Sequence, residues 1–227
     1  MKLFEVDQQT CKQDGICAAV CPVGIIHFQE GGYPTPSAEA EQLCIRCGHC
    51  VAVCPQGSLS HREMPVAQCP PVRKDLHLST EHGEHYLRSR RSVRVYEDKP
   101  VPRADLARLI EIARYAPSGH NSQCAEWLVL DRKDELRELA GVVADWMRWM
   151  IDNMQGLASA WHMDKTLERW TDGKDVILRG APALIVAHAS EQNRLAPSTC
   201  TIALTYLELA APGMGLGCCW AGYFNAA

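Results

Sequence analysis

Aromatic residues are scarce, 7% of 227 residues with only three phenylalanines. No apolar run approaches the roughly 20 residues that span a bilayer, so no membrane partner is expected. Basic excess is missing too: 23 Lys/Arg face 27 Asp/Glu, a formal net charge of -4. No global positive field points to nucleic acid. The opening MKLFEVDQQTCKQDG has no apolar h-region of a secretory signal, which argues for the cytoplasm. No G-x-G-x-x-G follows a strand-like run, so no dedicated dinucleotide domain is expected. With 47% hydrophobic and 22% charged residues, the composition excludes a disordered chain.

Cysteine, by contrast, is abundant. There are 12, and seven fall between Cys11 and Cys54. A disulfide framework suits a small secreted domain. Here seven is odd, the spacing is regular, and the export signal is missing, so reduced thiolates holding metal are the better reading.

Composition divides the chain. Residues 1–60 hold three Lys/Arg against six Asp/Glu. Residues 61–80, HREMPVAQCPPVRKDLHLST, carry prolines at 65, 70 and 71 and no sustained period, and read as an ordered linker. Residues 81–227 read as mixed helix and strand. VPRADLARLIEIARYA is a helix with Pro102 in its first turn and an apolar stripe of Leu106, Leu109, Ile110 and Ala113. EWLVL (126–130) and ALIVAHA (183–189) read as buried strands. Residues 134–154 form a long amphipathic helix. Another starts with Ser198 or Thr199 as N-cap and stops at Pro212-Gly213. The fold class expected is α+β.

The N-terminal segment repeats itself. Cys11-x2-Asp14-x2-Cys17-x3-Cys21-Pro22 aligns with Cys44-x2-Cys47-x2-Cys50-x3-Cys54-Pro55, with Asp14 where Cys47 stands. The run C-x2-C-x2-C-x3-C-P is the bacterial ferredoxin pattern, whose fourth cysteine serves the other cluster. Residues 1–60 therefore resemble a two-cluster bacterial ferredoxin. The resemblance implies that Cys44, Cys47, Cys50 and Cys21 hold one 4Fe-4S cluster. It gives Cys11, Cys17 and Cys54 to the other, with Asp14 at its fourth corner. Asp14 is alternatively a solvated turn residue before Gly15, leaving a three-iron cluster. Structural zinc also uses four cysteines, but two interleaved runs each closed by Cys-Pro argue against it.

A second set of motifs follows. LRSRRSVRVYEDKPV places Arg88, Arg90, Arg91 and Arg94 around Ser92, guanidinium forks and a hydroxyl that suit a phosphate dianion. A solvated helix end is the plainer explanation of that run. APSGHNSQCAEWLVL follows a helix and precedes a strand. Its Ser118, Gly119, Asn121 and Gln123 can approach a flat heterocycle and bond its edge, or form an ordinary polar loop. GMGLGCCWAGYF (213–224) is a glycine-rich turn, which also suits a helix C-cap. In this order the three are similar to the nitroreductase family of FMN-dependent oxidoreductases, over residues 85–227. The resemblance implies that Arg90, Ser92 and Arg94 hold the phosphate and ribityl end of FMN. Ser118, Asn121 and Gln123 would line the ring and ribityl chain, and Trp220, Ala221 and Gly222 the other face or edge. The family usually has proline after the glutamine, where this chain has Cys124. Members also continue a few dozen residues past the position of Ala227, supplying a last strand, a dimer-embracing tail and a basic residue near the phosphate.

Weaker candidates remain. Trp146, Met147, Trp149, Met150 and Met154 suit core or dimer packing, or a wall over the flavin. Cys218 and Cys219 read as small buried side chains rather than a redox pair. Cys69, Cys124 and Cys200 lack ligand spacing. His49 lies in a loop already supplied with cysteines, and His82 with His85 lacks a third ligand.

The reading is an oxidoreductase that passes electrons from iron–sulfur clusters through FMN to a small, flat, electron-poor acceptor such as a nitroaromatic, quinone or enone. A ferredoxin-type protein or NAD(P)H is the expected donor, and a homodimer the expected assembly. A non-enzymatic electron carrier is one rival. A same-fold flavin enzyme with different chemistry, dehalogenation or flavin fragmentation, is the other.

Overall fold

A computed structural model describes residues 2–227. It resolves into two compact units. One comprises Met1–Leu78 together with Gly119–Ser122, the other Ser79–Ser118 together with Gln123–Ala227. The architecture is α+β throughout. Among the described residues no helix is long and apolar enough to cross a membrane.

The first unit is built from two short antiparallel ladders. β1 (Phe4–Val6) pairs with β4 (Leu59–His61), placing Phe4 opposite His61, and β2 (Ile26–His27) pairs with β3 (Thr35–Pro36). One-turn α-helices accompany them: α1 (Ile16–Ala19), α2 (Ala40–Leu43) and α3 (His49–Ala52). The sequence repeat is also a backbone repeat. Gln13 and Arg46 are both left-handed (φ 56° and 54°), as are Gly15 and Gly48 (69° and 73°) and Gly24 and Gly57 (66° and 63°). Each half then makes the same turn: Cys21 N–H donates to Ala18 O, and Cys54 N–H to Val51 O. Gly15 is required twice over, since its φ is positive and a Cβ there would meet the Phe28 ring at 2.6 Å. Leu3, Phe4, Cys17, Ile25, Ile26, Ala40, Val51 and Leu59 form the core. β4 runs across the boundary expected between residues 60 and 61, because His61 belongs to the interior and is only 2% exposed.

In the second unit β5 (Glu126–Leu130) pairs antiparallel with β6 (Leu184–His188), Trp127 opposite Ala187. α4 (Thr80–Ser89) leads in, capped by the Ser79 side chain, which accepts from His82 N–H. α5 (Arg103–Ala113) packs on α9 (Ala196–Ala210) through Leu109, Ala113 and Leu207. α6 (Lys133–Asn153) buries Leu136, Ala140, Val143, Ala144, Met147 and Met150, a stripe of helical period. It packs with α7 (Gln155–Ala160), α8 (Met163–Thr171) and α10 (Gly222–Ala226). Tyr223 Oη donates to Trp161 O at 2.7 Å and fixes α10 there. α9 starts at Ala196, ahead of the expected Ser198 or Thr199 cap. Pro197 is tolerated in a first turn, and Asn193 Oδ1 accepts from Leu195 N–H just before it. Ser198 Oγ instead donates back to Leu195 O.

Candidate functional site

The repeated glycine turns bring seven of the eight cysteines of the first unit into two sets; Cys69 stands apart and is exposed. Cys11, Asp14, Cys17 and Cys54 line one cavity, beside Lys12, Ile16 and Ser58. The second set is seen around Cys50. Burial pushes its thiol up to about 11, and Cys47, Cys21 and Cys44 push the same way by charge. Burial also raises Cys17, with Asp14 and Cys11 as charged neighbours. The cysteine closing each run thus stands with the opposite half. None of the twelve cysteines is in a disulfide. Among the described residues no three His, Cys, Asp or Glu side chains converge as a single ion requires. The corner ligands of a cubane are spread more widely, around an inorganic core, and the two sets suit that group.

Hydrogen bonds distinguish the sulfurs. Cys54 Sγ accepts from Ser58 N–H at 3.2 Å and Cys44 Sγ from Arg46 N–H at 3.4 Å. Asp14 Oδ1 accepts from Ile16 N–H at 3.2 Å, a turn contact at the start of α1. His61, which the sequence left in a linker, lies 3.7 Å from Cys44 Sγ through Nε2. Burial lowers its pKa.

Of the residues expected at a flavin, the structure brings together those of the first and third motifs. Val93 N–H donates to Cys218 O at 2.9 Å, and a Cβ on Gly217 would meet the Val93 side chain at 2.6 Å, so this approach requires glycine. Arg90 ends α4 and donates to Glu208 Oε1 at 3.0 Å, while Trp220 Nε1 donates to Glu208 Oε2 at 2.9 Å. Glu208 is the residue sequence reasoning missed. Arg88 pairs with Glu84, and Arg91 donates to the carbonyls of Arg88 and Arg90. Arg94 is exposed and has no carboxylate partner among the described residues. Together with Arg179 it opposes the rise of Tyr96, whose hydroxyl burial pushes up to about 12. Ser92 is half-buried, Trp220 is exposed, and open space lies beside Gly222. An uncommitted guanidinium, a hydroxyl, a flat indole and a bare glycine suit the phosphate and ring of a flavin nucleotide. Ala221 packs against the α6 core.

The middle motif divides. Ser118 Oγ accepts from Gln123 N–H at 3.0 Å. Gly119 and Asn121 cluster with the cysteine unit, where Asn121 Nδ2 donates to Ile45 O at 3.1 Å and Arg46 O at 3.0 Å. The amide expected at a flavin edge is therefore engaged on the turn between Cys44 and Cys47. Met147 and Met150 are core, whereas Trp149 and Met154 are exposed. Burial raises Cys218 to about 11, with Glu208 and Cys219 adding to it, which keeps that thiol protonated and inert.

Residues 87–227 match the nitroreductase family, and residues 9–59 match the 4Fe-4S dicluster domain. The chain belongs to the nitroreductase family and carries an N-terminal 4Fe-4S dicluster domain. A nitroreductase with bound FMN from Bacteroides fragilis is 25% identical, with a TM-score of 0.52 over 62% of this chain and 69% of that one. A nitroreductase with bound FMN from Desulfitobacterium hafniense shares the fold at 23% identity and TM-score 0.50, over 63% of this chain and 72% of that one. The iodotyrosine deiodinase of Thermotoga neapolitana is 25% identical over 130 residues, 57% of this chain and 68% of that protein.

Proposed function

We propose that this protein is an iron–sulfur and FMN-dependent oxidoreductase acting on a small, flat, electron-poor molecule such as a nitroaromatic, quinone or enone. When bound, the clusters pass electrons singly and FMN takes them singly and releases them in pairs. Cys44, Cys47, Cys50 and Cys21 hold one cluster, and Cys11, Cys17 and Cys54 with Asp14 hold the other. Arg94 and Ser92 bind the FMN phosphate, Arg90 is held beside them by Glu208, and Trp220 with Gly222 covers the ring. Ser118 and Gln123 shape the loop below it. A ferredoxin-type protein supplies electrons, with NAD(P)H as a second donor. The working form is a cytoplasmic homodimer, with the iron–sulfur segment and the FMN segment as its two domains.

The observation that carries this reading is one chain that joins two neighbourhoods of Cys and Asp side chains to a nitroreductase-family segment. The test is the absorbance spectrum of anaerobically purified protein with iron, sulfide and flavin counts, followed by turnover of a nitroaromatic with reduced ferredoxin. Eight irons, or seven, and one FMN per chain with turnover are expected on the dicluster stoichiometry. The absence of flavin, or of any turnover, contradicts the reading and leaves an electron carrier.

The deiodinase relative favours reductive dehalogenation as a second reading. Halide release from a halotyrosine under the same anaerobic conditions separates it from nitro-group reduction.

A further inference from the structure

His61 ends β4 and is 2% exposed. Its Nδ1 lies 3.1 Å from the backbone N–H of Glu63, which can only donate. Nδ1 is therefore the unprotonated nitrogen, and the ring proton sits on Nε2. Nε2 in turn faces Cys44 Sγ at 3.7 Å, within reach of an N–H to sulfur hydrogen bond. A backbone contact two residues away thus fixes the tautomer and aims the remaining N–H at a cysteine sulfur.

The repeat supplies an internal comparison. Superposing Cys11 on Cys44 sets Phe28 against His61. Phe28 packs over Gly15 and has no hydrogen to offer a sulfur. Among the described residues no donor reaches Cys11 Sγ, whereas Cys44 Sγ receives Arg46 N–H and faces His61. Besides the exchange of Cys47 for Asp14, the halves differ in the donors that reach the leading cysteine sulfur.

We propose that His61 is a positioning residue that donates Nε2–H to the Cys44 thiolate and raises the reduction potential of the cluster Cys44 holds. Resting on the dicluster reading, it adds which residue tunes the cluster of Cys44 and how. A hydrogen bond to a ligating sulfur favours the state with more negative charge, which is the reduced one. No proton is transferred.

The test is a redox titration of the whole protein followed by electron paramagnetic resonance, on wild type, His61→Phe and His61→Gln. Phenylalanine is what the aligned position of the other half carries. Expected is that His61→Phe lowers one midpoint and leaves the other in place. The reduced-to-oxidised ratio of that cluster falls about tenfold at a fixed potential, or about 59 mV for one electron. His61→Gln, which retains an N–H, recovers part of the shift. Two unmoved midpoints in an iron-replete His61→Phe protein overturn the proposal. If His61→Phe does not fold, double resonance on reduced wild type labelled with nitrogen-15 histidine decides. A cluster-coupled exchangeable proton with a histidine nitrogen supports the proposal, and its absence overturns it. A wild type without iron and sulfide fails earlier, and refutes the dicluster reading itself.

Discussion

The guanidinium of Arg90 and the carboxylate of Glu208 meet at 3.0 Å across 118 positions of sequence. Glu208 is only 12% exposed at its side chain, and its second oxygen holds Trp220. One carboxylate therefore ties the arginine motif to the glycine-rich turn. Glu208→Ala leaves Arg90 and Trp220 without this partner. Arg90 is partly solvated, so the loss is discounted to about 1–2 kcal/mol. All six tryptophans lie in the second unit, so tryptophan fluorescence follows its unfolding selectively. A lowered thermal midpoint is expected, with cluster absorbance unchanged at room temperature; an unchanged midpoint contradicts the link.

Arg90 and Arg94 are expected to differ. Arg90 is already paired, and Arg94 has no carboxylate partner among the described residues. A charge-assisted contact to phosphate contributes on the order of 1.5–3 kcal/mol. Arg94→Ala should weaken FMN binding roughly ten- to a hundredfold, since each 1.4 kcal/mol is tenfold. Arg90→Ala should weaken it less. Flavin fluorescence on dilution reads both, and equal affinity in Arg94→Ala and wild type removes Arg94 from the site.

The clusters should also differ in durability. A carboxylate is a harder and more labile ligand for iron than a thiolate, and Asp14 already has one oxygen on Ile16 N–H. Mild oxidation should release one iron from the cluster beside Asp14 and give a three-iron resonance signal. Asp14→Cys should suppress that signal. Oxidised wild type that retains two cubanes as firmly as Asp14→Cys contradicts the assignment.

Much of this was legible because it is periodic or local. The cysteine runs carry their spacing in the sequence, and the stripe from Leu136 to Met150 announces α6. Glu208 was not legible: it is a single acid in an apolar helix, and its partners lie 118 positions before and 12 after. His61 was hidden by its neighbours, since HREMP reads as linker while the strand ladder ends on the histidine itself. Asn121 looked like a flavin contact from its motif. Its amide reaches the carbonyls of Ile45 and Arg46, 76 and 75 positions away, which no local pattern encodes.

Association is a separate matter. Trp149 is exposed on α6, as are Val142 and Met154 nearby, and burying such a set favours pairing of two chains. Sedimentation should give a dimer that holds one FMN per chain. A monomer with stoichiometric FMN contradicts the proposed assembly.

Stopped-flow reduction of the flavin by reduced ferredoxin, in wild type and Cys47→Ser, tests the role of the clusters most directly. Cys47 belongs to the set around Cys50, so its loss should disable one cluster and leave FMN bound. Flavin reduction by ferredoxin should slow sharply in the variant, while direct chemical reduction of the same flavin proceeds as in wild type. Reduction by ferredoxin at the wild-type rate would contradict an electron route through the clusters.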